Sequence, residues 1–195
     1  MPRRRGKRPR RQAGILAALG ECDRRLLLVA RTAGHSPGAE RAVARFSRLG
    51  EHAALWLALG GAGSLRRDRN AGAWQLATGA VATGYVLNTA IKFTIRRPRP
   101  VLPGLPALTS TPSGLSFPSA HTATSVVAAS LYSELSLPAA PLYALAGAFA
   151  YSRIYLGVHY PSDLVGGALL GGALARAFRP YVARARAGAG RGAGR

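Results

Sequence analysis

A single cysteine, Cys22, occurs in the 195-residue chain, which excludes an intramolecular disulfide and any cysteine-cluster metal site. Acidic residues are also scarce, with seven Asp and Glu against 27 Lys and Arg and a net charge of +20. A chain this basic meets an anionic partner: nucleic acid, acidic lipid or phosphate. So few carboxylates make no group suited to a divalent cation, and neither metal nor cofactor is expected. The basic segments 1–12 and 188–195 carry no aromatics, which argues against base stacking and a specific nucleic-acid partner. A secretory leader is not expected either. After 15–19 come Glu21, Asp23, Arg24 and Arg25, where the apolar part of a secretory signal would continue.

What is abundant is apolar: 48% of residues are hydrophobic, and mean hydropathy is +0.08. The charge must therefore be segregated, and much of it sits at the two ends. Residues 1–12 (MPRRRGKRPRRQ) read as a disordered basic arm suited to anionic headgroups. Residues 13–49 read as two amphipathic helices. The first has charges near its middle that would each cost about 2.5–3.5 kcal/mol to insert, so it is expected in the interface. Apolar stretches follow at 53–65, 71–90, 120–135, 139–157 and 164–178, bounded by Pro or charge and rich in Ala and Gly. The expectation is an all-α, polytopic membrane bundle of about five spans within 50–179, closed by a basic tail at 180–195. A water-soluble Ala-rich bundle would share these periodicities. Glu51 and His52 open the first stretch, where they could line a pocket or anchor its helix, with anchoring the favoured reading, while 101–117, rich in Pro, Gly, Ser and Thr, suits a lid.

Three short stretches carry reactive side chains. Residues 152–163 (SRIYLGVHYPSD) place Arg153, His159 and Asp163 around the start of a helix at Pro161. A carboxylate on one imidazole nitrogen fixes the tautomer and makes a histidine a competent nucleophile or base. Residues 92–100 (KFTIRRPRP) form a rigid basic exit from a helix. Residues 116–121 (SFPSAH) open another helix at Pro118 and Ser119, with first-turn amides free for an anion and His121 in the same turn. Taken singly, each stretch also has a structural reading: a hydrogen-bonded His–Asp pair, positive flanking of a span, and an interfacial histidine.

Together, Lys92 with Arg99-Pro100, Pro118-Ser119-Ala120-His121, and Ser152-Arg153, His159 and Asp163 resemble the signature of the type 2 phosphatidic acid phosphatase (PAP2) superfamily. That signature is Lys, six residues, Arg-Pro; then Pro-Ser-Gly-His; then Ser-Arg, five residues, His, three residues, Asp. The one departure is Ala120, where the family usually has glycine; a helix first turn needs only negative φ, which alanine adopts. The resemblance covers about 50–178. It implies that Lys92, Arg99 and Arg153, helped by Ser119 and the Ala120 amide, bind a phosphate. His159 would then attack phosphorus with Asp163 holding its ring, and His121 would protonate the leaving alcohol. No metal is required by that scheme. The implied partners are a lipid phosphate and the bilayer, with multi-pass placement in a bacterial plasma membrane. The larger share of non-catalytic Lys and Arg lies on the arm side, which predicts a cytoplasmic catalytic face.

A closer similarity, carried by Gly50-Glu51-His52 and TPSGLSFPSAH, is to actinobacterial polyprenyl-phosphate-sugar phosphatases acting on decaprenylphosphoryl phosphoribose. Undecaprenyl diphosphate, phosphatidate and phosphatidylglycerol phosphate phosphatases would use the same catalytic residues. A non-catalytic binder of anionic lipid or nucleic acid, and a vanadate-dependent haloperoxidase, are the readings of other classes.

Overall fold

The computed structural model describes residues 8–66 and 70–191. Among them are seven α-helices: α1 (Arg8–Thr32), α2 (Pro37–Arg48), α3 (Ala54–Ser64), α4 (Ala71–Ile95), α5 (Ala120–Tyr132), α6 (Ala139–Tyr155) and α7 (Pro161–Arg191). Short 3₁₀ turns at Glu51–Ala53 and Ser133–Leu135 precede α3 and follow α5. The sequence punctuates these elements visibly. Ser36 caps α2, its hydroxyl accepting from the Ala39 amide, with Pro37 in the first turn. Gly157, at φ 73°, turns the chain after α6, and Pro161 starts α7.

α5 is the axle. It packs against α4, α6 and α7, and most of its residues are buried. Small residues allow the close approach on the α7 side: a Cβ on Gly167 would lie 2.6 Å from the Ser119 carbonyl, and one on Gly171 2.5 Å from that of Ala123. Larger side chains fill the other side. Trp56, Trp74, Tyr132 and Phe149 are buried together, with Trp56 Nε1 donating to Ser125 Oγ (2.8 Å) and Tyr132 OH to the Trp56 carbonyl (2.9 Å).

Residues 8–12 of the expected disordered arm are helical, as the first turns of α1, where Pro9 is tolerated; residues 1–7 lie outside the described residues. Helix α7 likewise runs past Pro180 to Arg191. It docks on the turn after α5 through Arg179 Nε to Glu134 Oε1 (2.5 Å) and Arg186 Nη1 to the Glu134 carbonyl (2.6 Å).

The expectation of about five spans meets a different fact: among the described residues, no helix is long and apolar enough to cross a membrane. Helices α3, α5 and α6 have 11, 13 and 17 residues, or roughly 17–26 Å at 1.5 Å per residue. Helices α4 and α7 are long enough, but Ala, Gly, Thr and Arg dilute their hydropathy. The all-α bundle is as expected.

Helix α1 shows an inverted polarity. Asp23, Leu27 and Arg31, spaced by four, are buried against the rest of the molecule. Leu19, Leu26 and Val29 face outward at 53–65% exposure. The polar contacts that draw in Asp23 and Arg31 belong to the site.

Candidate active site

The corner between α6 and α7 is braced by a chain of hydrogen bonds and ion pairs. Asp163, in the first turn of α7, reaches back to the Tyr160 amide (Oδ2, 2.8 Å), as the acidic half of a capping box does. The same oxygen lies 3.3 Å from His159 Nδ1, and both side chains are buried. Asp163 Oδ1 accepts from Arg97 Nη1 (2.8 Å), and Arg97 Nη2 donates to Asp23 Oδ2 on α1 (2.8 Å). Asp23 also accepts from the Ser162 amide (2.9 Å) and hydroxyl (2.5 Å). The Arg97 guanidinium lies over the Tyr160 ring, 4.2 Å from its centroid. A continuous chain of charges thus runs from α1 through the α4–α5 loop to the imidazole.

On the other side of His159 opens a cavity of about 180 Å³ lined by Lys92, Arg99, Ala120, His121, Arg153 and His159, together with Glu51, His52 and Tyr85. Three cations are delivered here by separate elements. Lys92, one turn from the end of α4, points Nζ at the Leu115 and Ser116 carbonyls (3.2 and 3.3 Å). Arg99 donates to the Ser113 and Val158 carbonyls (2.8 and 2.6 Å). Arg153, on α6 and 2% exposed, donates through Nη1 to Ser47 Oγ, while its buried Nε has no partner among the described residues. Among the described residues, none of the three is in an ion pair.

Arg99 Nη1 also lies 3.2 Å from His159 Nε2. A guanidinium can only donate, and Asp163 accepts at Nδ1, so the ring is the neutral Nδ1–H tautomer with its lone pair at Nε2. Burial, and then the charges of Arg99, Arg153 and Lys92, push the His159 pKa well below the usual imidazole value. Burial lowers Arg99 to about 10, which leaves it charged at neutral pH.

His121, in the first turn of α5, is held differently. Its Nε2 donates to the Ser47 carbonyl at 3.0 Å, leaving Nδ1 for proton exchange. Ser119 caps the helix: its hydroxyl accepts from the Thr122 amide and hydroxyl (3.4 and 3.1 Å), and its own amide donates to the Asp163 carbonyl (3.0 Å). Ser119 therefore shapes the α5 N-terminus without lining the cavity, while the Ala120 and His121 amides find no acceptor among the described residues.

Of the two readings open for Glu51 and His52, the less favoured holds: they line the cavity, the chain there turning through left-handed backbone at His52 and Ala53 (φ 53° and 60°). The expected lid at 101–117 folds back on itself and meets the end of α6 through Leu108 N to the Leu156 carbonyl (3.0 Å); its Pro112 and Ser113 line the cavity. Sequence reasoning missed Asp23, Arg97 and Ser47. Asp23 had one available signal, as one of only two acids, with Glu21, on a helix rich in arginine.

The PAP2 superfamily profile matches residues 72–187. Decaprenylphosphoryl-5-phosphoribose phosphatase of Mycolicibacterium smegmatis is 41% identical over 132 residues, covering 67% of this chain and 72% of that protein. The Mycobacterium tuberculosis enzyme of the same name is 37% identical over 135 residues, 69% and 76% of the two chains. Among solved structures, Aquifex aeolicus LpxE superposes with a TM-score of 0.68 at 27% identity, over 80% of this chain and 94% of that one. A PAP2-type phosphatidylglycerolphosphate phosphatase from Bacillus subtilis shares the fold, with a TM-score of 0.72 at 23% identity over 86% and 87%. The chain belongs to the PAP2 superfamily, and it is a phosphatase.

Proposed function

We propose that this phosphatase hydrolyses the phosphomonoester of a polyprenyl-linked sugar phosphate, of the kind the mycobacterial relatives are named for, through a phosphohistidine on His159. One observation carries the reading: three cations, without ion pairs among the described residues, line one cavity with a histidine whose Nε2 faces Arg99 and whose other nitrogen faces a buried carboxylate. Lys92, Arg99, Arg153 and the Ala120 amide hold the phosphoryl oxygens. His159 Nε2 attacks phosphorus as the P–O bond to the alcohol breaks, and the departing oxygen takes a proton from His121. Water then attacks phosphorus, giving its proton to His121; the P–N bond breaks, and its electron pair returns to His159. Asp163 steadies the ring throughout. Charge neutralisation falls to side chains, so turnover persists in excess EDTA.

We place the enzyme in a bacterial plasma membrane, with α3 to α7 embedded. The outward apolar residues of α1, α4 and α7, such as Val29, Val86 and Leu169 at 63–70% exposure, support contact with lipid. The charge count favours a cytoplasmic catalytic face. In a Cys22→Ser background, Ser113→Cys labelled by an impermeant maleimide only from outside would reverse that side. The function test is a substrate panel: a prenylphosphoryl-5-phosphoribose, undecaprenyl diphosphate, phosphatidate and phosphatidylglycerol phosphate. The sugar phosphate lipid is expected to have the highest kcat/KM, with acid-labile phosphate trapped on the protein; preference for another member refutes the substrate assignment.

A further inference from the structure

The cavity has two chemically unlike sides. Its floor is cationic, built from Lys92, Arg99 and Arg153, but one wall carries an acid, Glu51, followed by His52 and facing Tyr85. A carboxylate beside a phosphate site opposes phosphate binding, and Glu51 acts electrostatically on Arg153, one of the phosphate-facing cations. Its presence is accounted for if it meets another part of the substrate.

Position says which part. The turn that carries Glu51 is packed on the ring of His121: a Cβ on Gly50 would lie 2.7 Å from His121 Cδ2 and 3.0 Å from the Phe149 ring. That contact is on the Cδ2 edge of the ring, beside the Nε2 held by Ser47; His121 is the group assigned to the leaving oxygen, and because Glu51 and His52 line the same cavity as His121, whatever that oxygen is attached to occupies the space they border. The backbone is also unusual there. His52 and Ala53 are consecutive non-glycine residues in the left-handed region, φ 53° and 60°, a strained arrangement sited on the cavity wall. The strained turn is tied across the cavity to α4, His52 Nδ1 lying 2.6 Å from the Tyr85 hydroxyl with the two rings edge to face. That bond leaves His52 Nε2 and a lone pair on the Tyr85 oxygen for a ligand, beside the acceptor-only carboxylate of Glu51.

We propose that Glu51, His52 and Tyr85 form a subsite for a polyhydroxylated leaving group, the carboxylate accepting from hydroxyls of a sugar whose phosphate sits on the cationic floor. The proposal rests on His159 as nucleophile and His121 as acid, and it assigns to the Glu51 wall the choice of a sugar phosphate over a simple lipid phosphate. Phe93, 61% exposed at the same mouth, offers an apolar face to the remainder of the substrate.

The test uses full-length protein in detergent as wild type, Glu51→Gln, Tyr85→Phe and the double variant. Steady-state rates are measured on a prenylphosphoryl-5-phosphoribose and on sugar-free phosphatidate, and calorimetric titrations use ribose 5-phosphate and inorganic phosphate. The double variant is expected to lose ~10–100-fold in kcat/KM on the sugar substrate, as when a site built for hydroxyls is disabled. Phosphatidate hydrolysis should change by less than about 2-fold, and inorganic phosphate should bind as well or better, since Glu51→Gln removes a repelling charge. Ribose 5-phosphate should lose its advantage over inorganic phosphate. Equal loss on both substrates overturns the proposal, by placing Glu51 in the general machinery; so does no loss on either. If wild type cleaves none of these esters yet binds ribose 5-phosphate in a Glu51- and Tyr85-dependent way, the phosphatase scheme fails while the polyol subsite stands.

Discussion

The two histidines that meet in the cavity are held by opposite means. His159 is braced by charge on both nitrogens: Asp163 at Nδ1, backed by Arg97 and Asp23, and Arg99 at Nε2. His121 has one neutral carbonyl, that of Ser47, and the edge of Phe149. The difference matches the roles proposed for the two, His159 as nucleophile and His121 as proton donor. A nucleophile needs a fixed lone pair in one protonation state, which the buried carboxylate and its supporting charges supply. A group that gives up and regains a proton is better held by a carbonyl, because a carboxylate partner would favour the imidazolium and resist its discharge.

Replacing either histidine tests that division most severely. His159→Ala is expected to lower kcat by ~10⁴-fold or more and abolish the trapped phosphoenzyme, as removal of a covalent nucleophile does. His121→Ala should cost ~10²–10⁴-fold on an alkyl phosphate. With p-nitrophenyl phosphate, whose leaving oxygen needs no proton, the His121→Ala deficit in phosphoenzyme formation should shrink sharply while that of His159→Ala does not. Equal deficits on the two esters would show that the roles are not divided in this way.

The contrast between the two halves also marks what the chain reveals before folding. His159 and Asp163 are four residues apart across a helix start, so their partnership follows from local geometry. Lys92, Arg99, Ser119, Ala120 and His121 are likewise local clusters at helix ends, set off by proline. Asp23 and Ser47 could not be read this way, because their partners Arg97 and Arg153 lie 74 and 106 residues away. They sit on helices whose pattern suggested a surface role. Helix α1 misled through its pattern: Asp23 and Arg31 look like interfacial charges until their partners are placed. Arg31, 4% exposed, donates to the carbonyls of Tyr155 and Pro106 (3.0 and 2.8 Å) and so joins α1 to the end of α6 and the loop before α5. Helix boundaries were legible where Pro or Gly marks them and ran long where basic residues continue a helix, as at both ends of the chain.

The bracing chain behind His159 should show graded losses. Asp163→Asn removes the carboxylate and permits the wrong tautomer, with an expected loss of ~10²–10⁴-fold in kcat. Asp23→Asn, one guanidinium further away, should cost roughly 10-fold in kcat and about 1–3 kcal/mol of stability from the weakened buried pair. Arg97→Lys cannot reproduce the planar fork that joins Asp23 to Asp163 and should resemble Asp23→Asn. Thermal melts separate the stability effect from the rate effect. Unchanged kcat in Asp23→Asn would confine that carboxylate to packing.

The same charges give His159 a pH signature. Its folded pKa lies below the unfolded value of about 6.5, chiefly through burial and then through Arg99. Between the two values the unfolded chain binds a proton that the native ring refuses, so stability falls as pH drops through about 6.5 and stops falling below the native pKa. The acid limb of kcat/KM should therefore lie below pH 6.5, and Arg99→Gln should move it upward by removing a neighbouring cation. An acid limb that does not move in Arg99→Gln would assign it to another group.

Ser47→Ala is expected to have the smallest effect of the series, and it isolates the His121 half. The substitution leaves the main-chain carbonyl that holds His121 Nε2, and it deletes the hydroxyl that accepts from Arg153 (2.5 Å) and from Ser152 Oγ (3.1 Å). Arg153 would then have neither its Nε nor its Nη1 contact satisfied by the protein, and its orientation toward a phosphate would loosen. One such hydrogen bond is worth about 1 kcal/mol, or roughly 5-fold. That loss should fall on KM, because the bond positions a cation on the bound phosphate without touching the proton transfer. The kcat value and the pH profile should stay as in wild type, since the carbonyl that governs His121 is intact. A fall in kcat with unchanged KM would instead mean that the Ser47 hydroxyl governs the proton donor, and that the two histidines are less separately held than their contacts indicate.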